Sequence, residues 1–171
     1  ETVLIHGAGG VGSLAIQIAK AAGAYVLATC SDYMVETAKA LGADRAINYK
    51  SEDFVEIVKE ETDNFGVDVV LDTVGDDLLT RSIEITKPFG RMVGIVSTNT
   101  GLSAAFPKNI TVHPMFLERD QYKIKALRDL IERGQLKPVI DSVMPLEEVA
   151  DAHRRLAEGG VKGKLVLKVE G

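Results

Sequence analysis

The chain carries a single cysteine, Cys30, and only three histidines among its 171 residues. One thiol cannot close an internal disulfide, and with scattered histidines it makes no structural zinc site. Positive charge is also short, with 20 Lys and Arg against 25 Asp and Glu, a net charge of −5. An acidic chain lacks the basic footprint that binds phosphates by charge, which excludes nucleic acid as a partner. No apolar run approaches the roughly 18 residues needed to span a bilayer. Glu1-Thr2-Val3-Leu4-Ile5, followed by glycines, is too short an apolar run for a secretory signal. These absences point to a reducing, cytoplasmic compartment. The remainder is ordinary: 46% hydrophobic and 26% charged residues suit one globular domain with a sizeable core.

What is present is an alternation of strand and helix patterns. Thr2–His6, Tyr25–Thr29, Arg45–Tyr49, Val67–Asp72 and Arg91–Val96 read as strands. Between them, Val11, Leu14, Ala15, Ile18, Ala19 and Ala22 mark one face of a helix that Gly23 stops. Further helices are expected from Ser31 or Asp32 to Leu41, from Ser51 to Glu61 and from Asp77 to Thr86. Pro88-Phe89-Gly90 is expected to turn the chain into the fifth strand, and Asn109–Val112 to form a sixth. Short connections and near-continuous apolar strands predict an α/β fold, a doubly wound parallel six-stranded sheet with helices on both faces. Ser97–Lys108 reads as a loop, and Asp120–Arg133 as an amphipathic helix through Ile124, Leu127 and Ile131. Val139–Val143, a helix with Pro145 in its first turn, and strand Lys164–Val169 form a helix/strand appendage. The expected division is residues 1–137 for the sheet domain and 138–171 for that C-terminal segment.

Gly7-Ala8-Gly9-Gly10-Val11-Gly12 fits G-x-G-x-x-G, set between a strand and a helix as the dinucleotide fingerprint requires. Gly7 permits the tight turn, Gly9 admits a pyrophosphate to the backbone, and Gly12 lets the helix pack on the strand. The N–H groups of Gly10 and Val11 are then free for phosphate oxygens, aided by the helix dipole.

The end of the second strand decides between cofactors. It reads Cys30-Ser31 where an NAD site usually places an acid for the ribose 2′-hydroxyl. A small neutral residue spares a 2′-phosphate the repulsion, so NADP(H) is favoured over NAD(H). Ser31 is placed to bond a phosphate oxygen and Tyr33 to stack on adenine, with Lys39 and Arg45 as candidate cations and Asp32 as a helix cap. Cys30 has no cationic neighbour in sequence to activate it and reads as a buried small hydrophobe within this strand end. Val74 and Gly75, after the fourth strand, are expected beside the adenosine half, with Asp72 as a strand-end polar group or cap. Gly94-Ile95-Val96-Ser97 ends the fifth strand nearer the nicotinamide.

No catalytic set accompanies this cradle. His6 precedes the glycines, His113 precedes Pro114, and His153 shares a helical stripe with Leu146, Val149 and Ala150, as a packed core histidine does. No Ser-His-Asp arrangement or carboxylate pair is visible. Two other readings stay open: a non-enzymatic NAD(P)-sensing regulatory module, and an S-adenosylmethionine-dependent methyltransferase, which usually has an acid where Cys30-Ser31 stand.

Several motifs in order carry a family resemblance. The glycine turn, Leu41-Gly42-Ala43-Asp44, Asn48-Tyr49, Asp72-Thr73-Val74-Gly75, Leu136-Lys137-Pro138-Val139-Ile140-Asp141, Pro145-Leu146-Glu147-Glu148, Ala152-His153 and Gly163-Lys164-Leu165-Val166-Leu167 are similar to the medium-chain dehydrogenase/reductase superfamily. The chain most resembles its zinc-free quinone oxidoreductase branch. The resemblance implies a Rossmann-type fold and NADPH-dependent reduction of a quinone, enone or related unsaturated carbonyl, with no zinc. It implies that Tyr49 lies near the adenosine phosphate and that Pro114-Met115-Phe116 approaches the nicotinamide. In that branch a Lys or Arg after the second strand often holds the 2′-phosphate, where this chain has Ser31-Asp32-Tyr33. Family members begin with a barrel-like domain forming most of the substrate pocket. The resemblance therefore implies an excised cofactor-binding half that binds dinucleotide but turns over substrate poorly. It also implies a homodimer paired through the edge strand at Asn109–Val112.

Overall fold

The computed structural model describes residues 1–96 and 101–169. Six strands, β1 (Thr2–His6), β2 (Tyr25–Cys30), β3 (Arg45–Asn48), β4 (Val67–Asp72), β5 (Thr86–Gly94) and β6 (Thr111–Pro114), form one sheet in the order β3-β2-β1-β4-β5-β6. Every neighbouring pair is parallel. The winding reverses between β1 and β4, and at such a reversal the crevice beyond the strands' carboxyl ends is free for a ligand.

Side-chain alternation along the strands divides the core in two. On β1, Leu4 packs with Leu27, Val70 and Met92 on one face, while its neighbour Ile5 packs with Val26, Ala28 and Cys30 on the other. Consecutive strand residues point to opposite faces, so both faces need cover, which is why β1 and β2 read as unbroken apolar runs. Helices α1 (Gly12–Ala21) and α2 (Val35–Ala40) cover the Ile5 face through Ile16 and Ala38. Helices α3 (Phe54–Glu61) and α4 (Leu78–Ser82) cover the Leu4 face through Phe54, Val58 and Leu79. Each such fully buried Leu, Ile or Val side chain contributes about 1.5–3 kcal/mol.

Several boundaries differ from the sequence pattern. The second helix is split, a 3₁₀ turn over Asp32–Met34 preceding α2, and the third begins at Phe54, where the Asp53 carboxylate caps the Val55 N–H at 2.8 Å. The fourth stops at Ser82 rather than Thr86. There the Ser82 and Thr86 hydroxyls donate to the carbonyls of Leu78 and Ser82, both at 2.7 Å, and Lys108 Nζ caps the carbonyls of Ile83, Glu84 and Thr86. Ile83 and Ile85 drop into the core, and β5 starts at Thr86. Val67 faces Thr86 and Val69 faces Arg91, so residues 87–90 bulge within β5 instead of preceding it. A 3₁₀ helix, Leu102–Lys108, replaces much of the expected loop, whose residues 97–100, Ser97 included, lie outside the described residues. Asn109 takes a left-handed φ of 52° and ends it, which delays β6 to Thr111–Pro114. Pro114 is tolerated because β6 is an edge strand.

Beyond the sheet, α5 (Gln121–Glu132) buries none of its residues, so the stripe of Ile124, Leu127 and Ile131 faces outward. β7 (Ile140–Pro145) and β8 (Lys164–Lys168) then pair in parallel as a separate two-stranded sheet. Pro145 closes β7 instead of entering a helical turn, and a 3₁₀ turn, Leu146–Glu148, leads into α6 (Val149–Glu158). His153 on α6 is exposed, not packed: within that helix the buried position is Ala152, one residue away and on another face.

Candidate nucleotide-binding site

The glycine turn joins β1 to α1. Gly7 has φ +86°, and its N–H donates to both the carbonyl and the hydroxyl of Thr29 at 3.1 Å. At Gly12 an added Cβ would lie 1.6 Å from the Gly7 carbonyl oxygen, so only hydrogen lets α1 pack this close to the turn. Gly9 is the opposite case, with no atom within 4 Å of that position. Among the described residues, the N–H groups of Gly10 and Val11 have no acceptor. The first turn of α1 holds no acidic residue to oppose an anion. Open space, free donors and the positive end of a helix dipole fit a pyrophosphate.

The facing wall is the turn after β4. Asp72 is buried, and its Oδ1 accepts the N–H groups of Val74 and Gly75, both at 2.9 Å. Thr73 Oγ1 donates to the His6 carbonyl at 2.7 Å, tying this turn to β1. Asp72 therefore shapes the crevice from within, and Val74 is left half exposed at its rim. A space of about 460 Å³ separates the glycine turn from Thr73, Val74 and the start of β8.

A second cleft, of about 620 Å³, runs from Gly7 and Val74 toward Tyr49, Lys50 and Phe54. Cys30 pairs with Asn48 across β2 and β3, so the residues after each strand lie side by side. Ser31 Oγ sits 3.1 Å from the Tyr49 hydroxyl, and Lys50 Nζ donates to Asp32 Oδ1 at 3.3 Å. The Lys50 hydrogen bond holds the Asp32 carboxyl below its ordinary pKa. Ser31, not Asp32, is the N-cap of this 3₁₀ turn, and Asp32, its first residue, is an ion-pair partner of Lys50. Lys39 is spent on Glu36 at 3.1 Å, and Arg45 on Glu52 and Glu61. The cation beside the strand end and on the cleft wall is Lys50, itself paired with Asp32; the sequence reading missed it, and the signal was parallel pairing, which aligns the ends of β2 and β3.

Other expected positions fall in varied surroundings. The Cys30 thiol is enclosed in the α1–α2 half of the core, and burial pushes its pKa up to about 11. Tyr33 is partly exposed on the 3₁₀ turn and is not among the cleft residues. Gly75, with φ +102°, completes the turn held by Asp72. Val96 follows β5, and the Met115 N–H donates to the Gly94 carbonyl at 2.8 Å, which carries the chain past the end of β5. The side chains of Met115 and Phe116 are exposed there.

His6 lies beneath the turn, not in it. Its Nε2 is 2.8 Å from Ser82 Oγ, its Nδ1 is 3.4 Å from Thr29 Oγ1, and Phe54 meets its ring edge-on at 4.7 Å. Because the Ser82 hydroxyl donates to the Leu78 carbonyl, Nε2 is the protonated nitrogen of the pair. Burial, with a smaller contribution from Arg81, lowers the His6 pKa to about 3. His113 and His153 are both exposed. Among the described residues, no cluster of three or more His, Cys, Asp or Glu is placed to hold a metal ion, and no helix is long and apolar enough to cross a membrane.

A six-stranded parallel sheet with an open glycine turn at its switch point defines a Rossmann-type nucleotide-binding domain. The chain belongs to the zinc-binding dehydrogenase family, whose model it matches over residues 41–167, on the quinone oxidoreductase-like branch of the medium-chain dehydrogenase/reductase superfamily. A 2-haloacrylate reductase from Burkholderia sp is 33% identical, with 98% of this chain and 55% of that protein covered. The quinone oxidoreductase of Homo sapiens is 32% identical, with 98% and 54% covered. The solved quinone oxidoreductase from Coxiella burnetii superposes with TM-score 0.88 at 36% identity, over 99% of this chain and 53% of that one. The chain thus spans about half the length of the curated relatives it matches.

Proposed function

We propose that this chain is the cofactor-binding half of an NADPH-dependent oxidoreductase that reduces quinones, enones or related unsaturated carbonyls, a reading supported by its likeness to a quinone oxidoreductase and a 2-haloacrylate reductase. The observation that carries the cofactor assignment is the cluster of Ser31, Tyr49 and Lys50 where β2 and β3 end side by side, with Tyr49 and Lys50 lining the long cleft. A 2′-phosphate seated there is met by a hydroxyl pair and an ammonium, charge-assisted contacts that a bare ribose hydroxyl does not draw. Gly7, Gly9, Gly10, Val11 and Gly12 then shape the pyrophosphate seat, Val74 and Gly75 flank the adenosine half, and Val96, Met115 and Phe116 lie toward the nicotinamide. Cys30 and Tyr33 complete the strand end and its following turn. The bound nicotinamide supplies the hydride. This chain binds and orients it, and no residue here is assigned to protonate the product.

On this reading the isolated chain holds cofactor yet turns over slowly, because positioning of substrate needs walls that this half does not supply. The β6 edge, with its free backbone groups, is the proposed homodimer contact, and the proposed compartment is the cytoplasm. The test is titration with NADPH and NADH, following nicotinamide fluorescence and calorimetric heat together. Saturable NADPH binding, tighter than NADH, is expected. A preference for NADH overturns the NADPH assignment and gives Asp32 to the ribose hydroxyls. Binding of neither removes the dinucleotide reading for this chain.

A further inference from the structure

His6 is fully buried at the last position of β1, directly before the glycine turn, and it bonds both walls of the crevice. On one side its carbonyl accepts the Thr73 N–H at 3.2 Å and the Thr73 hydroxyl at 2.7 Å, which fastens the turn after β4. On the other side its ring meets Thr29, its register partner on β2, whose hydroxyl oxygen lies 3.4 Å from Nδ1. That same oxygen accepts the Gly7 N–H at 3.1 Å. Gly7 and Thr29 both line the long cleft, so this chain of bonds ends at the surface a ligand would meet. The two turns stand close there: a Cβ on Gly7 would lie 2.8 Å from Val74 Cγ2 and 2.9 Å from Thr73 Oγ1.

Each proton in the chain of bonds is fixed by the one before it. The Ser82 hydroxyl gives its proton to the Leu78 carbonyl, so its oxygen accepts from Nε2–H of the ring. A neutral imidazole protonated at Nε2 carries a lone pair at Nδ1. Nδ1 therefore takes the Thr29 hydroxyl proton, and a lone pair of that hydroxyl is left to face the Gly7 N–H. Phe54 packs edge-on against the ring at 4.7 Å and helps to hold its plane. We infer that His6 is a positioning residue for the pyrophosphate seat, acting through the Thr29 hydroxyl to hold the glycine turn in its binding shape before a nucleotide arrives. It touches no nucleotide itself, and the inference rests on the dinucleotide reading above. A turn held in advance spares the ordering that binding would otherwise have to impose.

The test compares His6→Leu, His6→Asn, Thr29→Val and the double variant His6→Leu/Thr29→Val with the unaltered chain. NADPH and NADH affinity are measured by calorimetry, thermal stability by melting, and the Gly7 amide by its NMR shift. His6→Leu and Thr29→Val should each weaken both nucleotides roughly fivefold, about the worth of one neutral hydrogen bond. The double variant should bind no more weakly than either single one, because both remove the same link. In His6→Asn the side-chain carbonyl takes the place of Nδ1, so most of the affinity should return although the bond to Ser82 is lost. The Gly7 amide shift should move in His6→Leu and Thr29→Val and stay near its original place in His6→Asn. Unaltered affinity in His6→Leu overturns the inference and leaves the dinucleotide reading intact. Losses that add in the double variant overturn it too, since they separate His6 from Thr29. So does affinity that follows the melting temperature across all variants, His6→Asn included, which marks a scaffold role. If His6→Leu does not fold, Thr29→Val against His6→Asn decides, and equal affinities in that pair overturn the inference. If the unaltered chain binds neither nucleotide, the dinucleotide reading fails and takes this inference with it.

Discussion

The side-chain amide of Gln17 clasps the backbone of Lys137 in both directions. Its Nε2 donates to the Lys137 carbonyl at 2.9 Å and its Oε1 accepts the Lys137 N–H at 2.8 Å. Gln17 is buried on α1, and Leu136 beside the clasp is buried too. The helix that begins at the glycine turn therefore also anchors the chain just before β7. Replacing Gln17 with Leu leaves the Lys137 N–H and carbonyl without these partners, an expected cost of about 1–3 kcal/mol. Chemical denaturation measures the loss, and nucleotide titration should show weaker binding alongside it. Stability and affinity both at the unaltered level would show that the clasp anchors nothing.

The glycines of the turn separate into two kinds by the space around them. Gly12→Ala forces a Cβ against the Gly7 carbonyl oxygen, and should destabilise the chain by several kcal/mol, on the order of 4 or more. Gly9→Ala meets nothing within 4 Å and has an ordinary φ, so the fold should melt as before. Its methyl group instead occupies the pyrophosphate seat, and NADPH affinity should fall at least tenfold. Melting curves and titrations on the two variants should show opposite patterns. A Gly9→Ala chain that binds NADPH normally would place the phosphates elsewhere.

Asp32 and Lys50 exert opposed effects on a 2′-phosphate. The carboxylate neutralises the ammonium it bonds at 3.3 Å and repels the phosphate as well. Asp32→Asn should raise NADPH affinity severalfold and leave NADH affinity nearly unchanged. Lys50→Met should lower NADPH affinity about tenfold, again with little change for NADH. The ratio of the two dissociation constants is the readout. If neither variant moves it, the strand-end cluster does not choose the cofactor.

His6 sets an acid limit on stability. Its ordinary pKa of 6.5 describes the unfolded chain, and the buried ring has a pKa of about 3. Between those values the unfolded chain binds a proton that the folded chain refuses. Stability from this group is therefore intact above pH 6.5 and declines as pH falls through that window, by up to about 1.4 kcal/mol per pH unit. Denaturation curves from pH 7 to 4 should show this slope flattened in His6→Asn. The imidazole signals of His6 in the folded chain should not titrate above pH 4; titration near 6 would refute the buried neutral ring.

The alternation of strands and helices and the glycine turn were determined by the sequence alone. Those features are local: apolar spacing fixes which faces are buried, and three glycines at fixed intervals permit a turn that other residues cannot make. The ends of elements were less legible. Thr86 joins β5 and not α4, because hydroxyls and the distant Lys108 satisfy the carbonyls that a longer helix would have bonded itself. Only the tertiary structure decided which cation stands at the strand end. Lys39 and Arg45 were nearer in sequence to Ser31, yet neither lines the cleft, and Lys50 arrives there through the pairing of β3 with β2. Lys164 comes from the far end of the chain, past the bend at Gly163, and its ammonium would lie 2.8 Å from a Cβ on Gly10. Side chains meet according to strand register and the packing of whole elements, and neither is contained in the spacing of residues along one segment.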